Sequence, residues 1–307
     1  MDFRPHTVLS EEEWKARAAV HFERARAHTE PARHRADRAQ PHPLADFLFT
    51  YYPFPFSLLE HWHPEFGMGM EWKRDTAPPP FRGRVYRLEA GVLAADPGAL
   101  SAKEIQRLVW TKELLDGTAE RAPNFACHGL HEWAMVYGGR EIRHERTLAL
   151  RLTQEEIDVV VESRTIRCSH HDAFRFFAPR ARCLNQLQPD IDSRHLMEQP
   201  ACLHANMDLY KWAAKAMPWV GSELLLECFE LAVELRDLDM RASPYDLQPW
   251  GREPVRIETA EGRKQYEAEQ RRLAERAMPL RKRLAGQVAA LLDAAAFSRQ
   301  TPCQPSF

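Results

Sequence analysis

The chain has 307 residues, which is long enough for one large domain or two ordinary ones without disulfides or a structural metal. Its residues are 44% hydrophobic and 28% charged, a composition typical of soluble globular proteins and unlike that of disordered ones. The 42 Lys and Arg against 44 Asp and Glu leave a formal charge of -2, which argues against strong overall attraction to nucleic acid or an anionic membrane. The sequence has no run of about 18 apolar residues and no apolar leader, so we expect no membrane partner and a cytoplasmic location.

The N-terminal region, residues 1–42, is predicted to be an exposed helix. Ser10 and Glu13 form a capping-box pattern, and charged helix formers follow. His21, His28 and His34 lie in this charged stretch, so we expect all three to be solvated surface residues.

The core region, residues 43–258, begins with a dense aromatic cluster. Pro53 and Pro55 interrupt the cluster, which excludes one continuous helix. The stretch R-V-Y-R-L-E-A-G-V-L-A-A-D then predicts a short hairpin that turns at Gly91. Ser101 and Glu104 form a second capping box, which opens a helix that Gly117 is expected to end.

We expect most of the strand structure between residues 147 and 168, where T-L-A-L-R-L and a β-branched run from Val159 occur, with a short helix after Thr153 between them. Beyond Pro200 the apolar spacing is helical, and residues 259–307 predict a long amphipathic helix and tail. Between Arg263 and Arg283 this helix carries the one local excess of basic residues. The predicted fold class is therefore mainly α with a small β component (α+β), in a single compact, helix-rich domain.

Histidine is the most unevenly placed residue type. Nine of the 14 histidines lie between His61 and His204, and the last 103 residues contain none. Three segments combine histidine with a carboxylate beside aromatic residues: H-G-L-H-E-W with His131 and Glu132, S-H-H-D with His170 and Asp172, and L-H-A-N-M-D with His204 and Asp208. On a helix, His204 and Asp208 would share one face because they are four residues apart.

Imidazole and carboxylate side chains together suit iron or zinc, and the same pair makes a general base near neutral pH. We therefore predict that a divalent metal is held by His131, Glu132, His170 and His204. The predicted catalytic residues are Asp172, Asp208, Asp239 and Arg241, the last two from the charge-dense segment R-D-L-D-M-R-A-S-P-Y-D-L. The predicted substrate-binding residues are Tyr52, Trp133, Phe174, Arg175, Tyr210 and Lys211.

Other common catalytic motifs are absent from the sequence. Met135 occupies the position that a zincin H-E-x-x-H motif would need for its second histidine. There is no G-x-S-x-G, G-x-G-x-x-G or G-x-x-x-x-G-K, and the six cysteines form no C-x-x-C pair. Nucleophilic, dinucleotide and P-loop chemistry therefore have no sequence support.

Several segments resemble those of a bacterial family that carries the label 3-methyladenine DNA glycosylase. They are F-L-F-T-Y-Y, G-L-H-E-W-A-M-V-Y, C-S-H-H-D-A-F-R-F-F, C-L-H-A-N-M-D-L-Y-K-W and L-D-M-R-A-S-P-Y-D-L, and the resemblance spans about residues 43–285. It implies a DNA N-glycosylase that excises alkylated purines. The sequence has neither a helix-hairpin-helix pattern nor an obvious phosphate-binding surface, so the resemblance assigns no catalytic residue.

Three hypotheses follow. The leading one is a metal-dependent enzyme acting on a small molecule, with aromatic molecules among the candidate substrates; haem bound through His204 or His170 is a less favoured variant. The second is the DNA N-glycosylase, with DNA as partner and Asp172, Asp208 or Asp239 assisting water. The third is a non-catalytic binding module in which the His/carboxylate pairs are structural. Spatial convergence of the three pairs discriminates the first hypothesis from the third.

Overall fold

A computed structural model describes residues 5–73, 80–81, 83–139 and 148–300, so the predicted tail at 301–307 and Thr147 of the predicted strand lie outside the described residues. The described residues form eleven α-helices and one small β-sheet, which confirms the predicted fold class. The helices are α1 Glu11–Asp37, α2 Phe47–Tyr51, α3 Phe56–Glu60, α4 Ala102–Glu120, α5 Leu130–Val136, α6 Gln154–Glu162, α7 His171–Phe174, α8 Arg194–Met197, α9 Leu203–Lys215, α10 Ser222–Arg241 and α11 Ala260–Gln300. None of these helices is long and apolar enough to cross a bilayer.

The sheet has four short strands: β1 Thr7–Leu9, β2 Met68–Glu71, β3 Tyr86–Glu89 and β4 Val92–Ala95. Their spatial order is β1-β2-β4-β3, with β1 parallel to β2 and the other two pairings antiparallel. The β3–β4 pair is the hairpin predicted around Gly91, whose φ of +77° is a turn conformation that glycine adopts without strain.

The two predicted capping boxes are confirmed. Ser10 and Ser101 each accept a hydrogen bond from the backbone three residues on, and Glu13 and Glu104 reciprocate. The prolines after Tyr52 separate α2 from α3, as their position in the sequence predicted.

The core is organised around α9 and α10, which pack closely against each other. Both helices are buried on more than one face: α9 buries ten of its thirteen residues, including Asn206 and Asp208. Helix α11 packs against α4, α9 and α10, while α1 covers α3 and part of α10. Polar side chains of α9 and α10 therefore face protein rather than water, so each needs a hydrogen-bond or charge partner within the chain.

The prediction of strands within residues 147–168 is wrong, whereas the short helix predicted after Thr153 is confirmed as α6. The β-branched run continues α6, and the only pairings found there in the described chain are two isolated bridges, Leu150 with Tyr245 and Ile166 with Asn185. A capping box at Thr153 starts α6, and Ile157, Val160 and Val161 then bury at helical spacing. Helical packing of these apolar residues overrides their β propensity.

Three further expectations are corrected. Helix α4 passes through Gly117 and ends at Glu120, so this glycine does not end the helix. His21 is 4% exposed rather than solvated, and its Nε2 lies 2.7 Å from the carbonyl oxygen of Leu59. His170 is the N-cap of α7 and does not follow a strand, although a β-branched run to residue 168 was expected to lead into it.

Candidate metal centre

The candidate centre is assembled where α5, α9 and α10 meet the start of α7 and the end of α8. The N-cap of α5 is Gly129, whose φ is +74° and where a Cβ would lie 3.2 Å from that of Ala242. This glycine lets α5 lie against the end of α10, and the first turn of α5 then carries His131 and Glu132 into the core.

The three predicted His/carboxylate segments lie together. The ring centroids of His131 and His204 are 4.6 Å apart, and those of His204 and His170 are 5.4 Å apart. The imidazoles thus form a row with His204 in the middle. The row is not one ligand set, because its members divide into two groups with different carboxylates.

The first group, here called site A, consists of His131, His204 and Asp239. Each offers one ligand atom, and the three atoms lie within 4.8 Å of one another. His131 Nε2 is 2.7 Å from Asp239 Oδ1, and His204 Nε2 is 4.0 Å from Asp239 Oδ2. His131 and Asp239 are buried, whereas 13% of the His204 side chain is exposed. Two imidazoles and one carboxylate are a ligand set used by catalytic iron and zinc sites.

The protonation states at site A follow from burial and from Asp239. Burial lowers the pKa of His204 to about 3, so its imidazole is neutral and has a free lone pair. Burial also disfavours charge on His131, but the carboxylate of Asp239 outweighs it and raises the pKa of His131 well above its usual range. Burial would raise the pKa of Asp239, yet His131 holds it below its usual range.

Glu132 is not part of site A. Its carboxylate accepts a hydrogen bond of 3.0 Å from Arg236 Nη1, which also donates to Asp239 Oδ2 at 2.8 Å. Burial and the nearby charge of Asp239 raise the pKa of Glu132 above its usual value, although Arg236 opposes the shift. Arg236 therefore joins α5 to α10 and neutralises part of the charge behind site A.

The second group, here called site B, consists of His170, Glu198 and Asp208, all about 1% exposed. His170 Nε2 lies 3.4 Å from Glu198 Oε1 and 3.6 Å from Asp208 Oδ2. Asp208 also accepts a hydrogen bond of 2.6 Å from the Tyr52 hydroxyl.

Asp172 stands beside site B rather than in it. It is paired with Arg194 and, at 3.0 Å, with Lys211, which also donates to Asp208 at 2.9 Å. Burial opposes ionisation of Asp172, but Lys211 and Arg194 prevail and lower its pKa to about 2. Asp172 is accordingly a carboxylate at neutral pH.

A narrow cleft, with room for about one water molecule between its side chains, runs beside site A. Phe47, Tyr51 and Phe176 form its aromatic walls, and the rings of Phe47 and Tyr51 stack at a centroid distance of 5.1 Å. Its polar lining comes from Glu132, Asp172, His204 and Arg236. On the other face of site A, a space no larger than one water molecule is lined by His131, His204, Cys127, Cys168 and Cys202.

The other predicted site residues lie away from the row of histidines or in the surrounding core. Trp133 is fully buried and donates to the carbonyl oxygen of Ala242, while Tyr210 packs against Tyr52 and Phe229. Phe174 packs on Phe177, and the exposed Arg175 lies over Phe176 near Asp172. Arg241 pairs with Asp237 and Glu269 beside a surface hollow at the end of α10, so it does not reach site A or site B.

Sequence reasoning missed three residues: Glu198, Arg194 and Arg236. Arg236 had a signal, since it lies four residues from both Ala232 and Met240 on a mostly apolar, buried face of α10. Buried arginines of this kind are paired, which points to a carboxylate nearby. Arg194 and Glu198 belong to a short helix in a polar stretch, where neither periodicity nor composition distinguishes them.

The basic stretch of α11 is largely neutralised. Arg271 pairs with Glu267, Arg276 with Glu234 and Arg283 with Glu227. Arg281 is 2% exposed and donates to Asn206 and the carbonyl oxygen of Ala205. These arginines are committed to partners within the chain, which weakens the one positive stripe the sequence offered for phosphate binding.

No protein-family model matches the chain, and neither the curated proteins nor the solved structures include a significant match.

Proposed function

We propose that the chain is a metal-dependent enzyme that binds divalent iron or zinc at site A and acts on a small, flat aromatic molecule in the adjoining cleft. The observation that carries the proposal is the convergence of His131, His204 and Asp239 within 4.8 Å at the cleft wall. A buried ligand set with one edge on a cleft is the arrangement of a catalytic metal, which keeps a coordination position open.

The donor set suits the proposed ions once His131 loses the proton that it holds against Asp239, because metal ligands bind in their deprotonated form. His204 is neutral and its Nε2 is 4.0 Å from Asp239, beyond hydrogen-bond distance but within the span of a shared ion. A bound metal would supply Lewis acidity or activate a bound water. Arg236 would orient Asp239 by holding one of its oxygens, as outer partners of metal ligands commonly do.

The cleft walls suggest the class of substrate. A flat ring would stack against Phe47, Tyr51 and Phe176 once these side chains moved apart to widen the cleft, because stacked and edge-on aromatic contacts are favourable. Asp172 would offer a fixed negative charge to a donor on the ring. Glu132, whose pKa is raised, is the carboxyl group on the wall best suited to hold and transfer a proton at its side-chain oxygen.

The proposal can be tested by loading the protein with Co²⁺ and following the visible absorption of the bound ion. Benzohydroxamate joins an aromatic ring to a chelating group, and acetohydroxamate has the same chelator without the ring. We expect both to change the spectrum of the Co²⁺-loaded protein, with benzohydroxamate binding at least about tenfold more tightly, since each 1.4 kcal/mol of ring burial is a factor of ten.

The test variant is His204→Ala, which removes a ligand of site A. Its matched control is His34→Ala, a histidine on the exposed face of α1. We expect His34→Ala to behave as wild type and His204→Ala to lose the spectral response. A Co²⁺ spectrum that neither hydroxamate alters would contradict an open metal site, and equal affinities would contradict an aromatic cleft beside it.

A further inference from the structure

We propose that site B binds a second divalent cation, such as zinc or manganese, which acts as a structural clip rather than a catalytic centre. The inference is independent of the metal proposed for site A, because the two sites share no ligand. It rests on unpartnered polar atoms, on their separations and on the segments they join.

The imidazole of site B lacks hydrogen bonds within the described structure. Both ring nitrogens of His170 are buried without one, and Oε1 of Glu198 has only an ion pair, 3.0 Å from Nε of Arg194. Leaving buried polar groups unsatisfied is costly, and a coordinated ion would satisfy the imidazole nitrogen and the carboxylate oxygens together.

The separations are those of ligands around an ion. Zinc–nitrogen and zinc–oxygen bonds of about 2.1 Å in a tetrahedral arrangement place neighbouring ligand atoms roughly 3.4 Å apart. His170 Nε2 lies 3.4 Å from Glu198 Oε1 and 3.6 Å from Asp208 Oδ2, both too long for good hydrogen bonds. By contrast, His131 and Asp239 in site A are at hydrogen-bond distance, 2.7 Å.

The carboxylates of site B keep lone pairs for an ion although cations lie beside them. Three carboxylates meet there, those of Glu198, Asp208 and Asp172. The cations paired with them are Arg194, Lys211 and Arg175, and Arg175 contacts only Asp172, at 3.5 Å. Each carboxylate oxygen has two lone pairs, so Asp208 Oδ2 can accept from Lys211 and still face an ion. One nitrogen and two oxygen ligands suit zinc or manganese.

The position of site B indicates its role. Its ligands come from the N-cap of α7, the C-cap of α8 and the middle of α9, and none of them lines the cleft. A closed site that joins three segments is typical of a structural ion. Such an ion would fix the start of α7, and with it Asp172 on the cleft wall.

Anomalous diffraction from zinc-soaked crystals of the wild-type chain tests the inference without any substitution. We expect a peak between His170, Glu198 and Asp208, at about 2.1 Å from each ligand atom. In solution, equilibrium dialysis should find that Glu198→Gln binds one zinc equivalent fewer than both wild type and the control Glu155→Gln, an exposed residue of α6.

A peak at site A with none at site B, and a Glu198→Gln variant that binds as much zinc as wild type, would overturn the second site. A peak at site B with none at site A would support it while refuting the metal of the proposed function. Crystals without a peak at either site, in saturating zinc, would refute both.

Discussion

The hydroxyl of Tyr52 donates a 2.6 Å hydrogen bond to Asp208, which ties the aromatic segment after α2 to the centre of α9. The two residues are 156 positions apart in the sequence, and both are buried. Because the acceptor is a buried carboxylate, this bond belongs to the stronger class of hydrogen bonds in proteins.

Replacing Tyr52 by Phe should lower the free energy of unfolding by about 2 kcal/mol, since a charged buried acceptor loses a donor while the ring packing stays. Urea denaturation measures the change. The matched control is Tyr210→Phe, a neighbouring buried tyrosine with no carboxylate partner among the described residues, which should cost about 1 kcal/mol or less. Equal losses of unfolding free energy in the two variants would argue that the hydrogen bond of the Tyr52 hydroxyl does not stabilise the fold.

Arg236→Met should destabilise the chain by about 3 to 5 kcal/mol, because it leaves the buried carboxylates of Glu132 and Asp239 without their shared cation. The control lies on the same helix: Arg241 is partly exposed and its ion pairs face solvent, so Arg241→Met should cost at most about 1 kcal/mol. Thermal and urea unfolding of both variants would measure the two losses in the free energy of unfolding. A loss at Arg236 no larger than that at Arg241 would contradict the role given to Arg236.

His63 should make folding sensitive to acid. Burial lowers its pKa to about 4 in the folded chain, against an ordinary value of about 6.5 when unfolded. Between these two values the unfolded chain binds a proton that the folded chain does not, so stability falls as the pH drops from about 6.5 to 4 and shows no further loss from this group below that. The full contribution is on the order of 3 kcal/mol.

The substitution His63→Gln isolates this contribution, because other titrating groups are common to both chains. The variant gives up the 2.9 Å contact with the Tyr86 hydroxyl, so it should be less stable than wild type at pH 7. The gap should shrink steadily toward pH 4, measured as the difference between their unfolding free energies. A gap that stays constant over this range would show that His63 does not titrate as its burial requires.

Local chemistry made much of the fold predictable. Ser10, Ser101 and their partner glutamates mark helix starts through side-chain hydrogen bonds that depend on three-residue spacing alone. The run beginning at Val159 was misassigned because β-branched residues favour strands locally, whereas burial of Ile157 and Val160 on one helical face is decided by tertiary packing.

The candidate site was predictable in its residue types and not in its grouping. Histidine beside carboxylate and aromatic residues identified His131, His170 and His204, which do lie in one row. Which carboxylate each histidine faces depends on how distant segments meet. Glu132 belongs to neither ligand group because its carboxylate binds Arg236. Glu198, which is distant from His170 in the sequence, meets it only in the folded chain.

The most direct test of the central claim is the zinc content of metal-depleted chain after re-equilibration with zinc, compared between wild type, His204→Ala and His34→Ala. If site A binds a metal, His204→Ala should hold one equivalent fewer than the other two, or bind it at least about 100-fold more weakly, since even the loss of an outer partner costs 10- to 100-fold. Equal zinc in all three proteins, or less than about a tenth of an equivalent in wild type at saturating zinc, where a site of ordinary affinity is full, would contradict the claim.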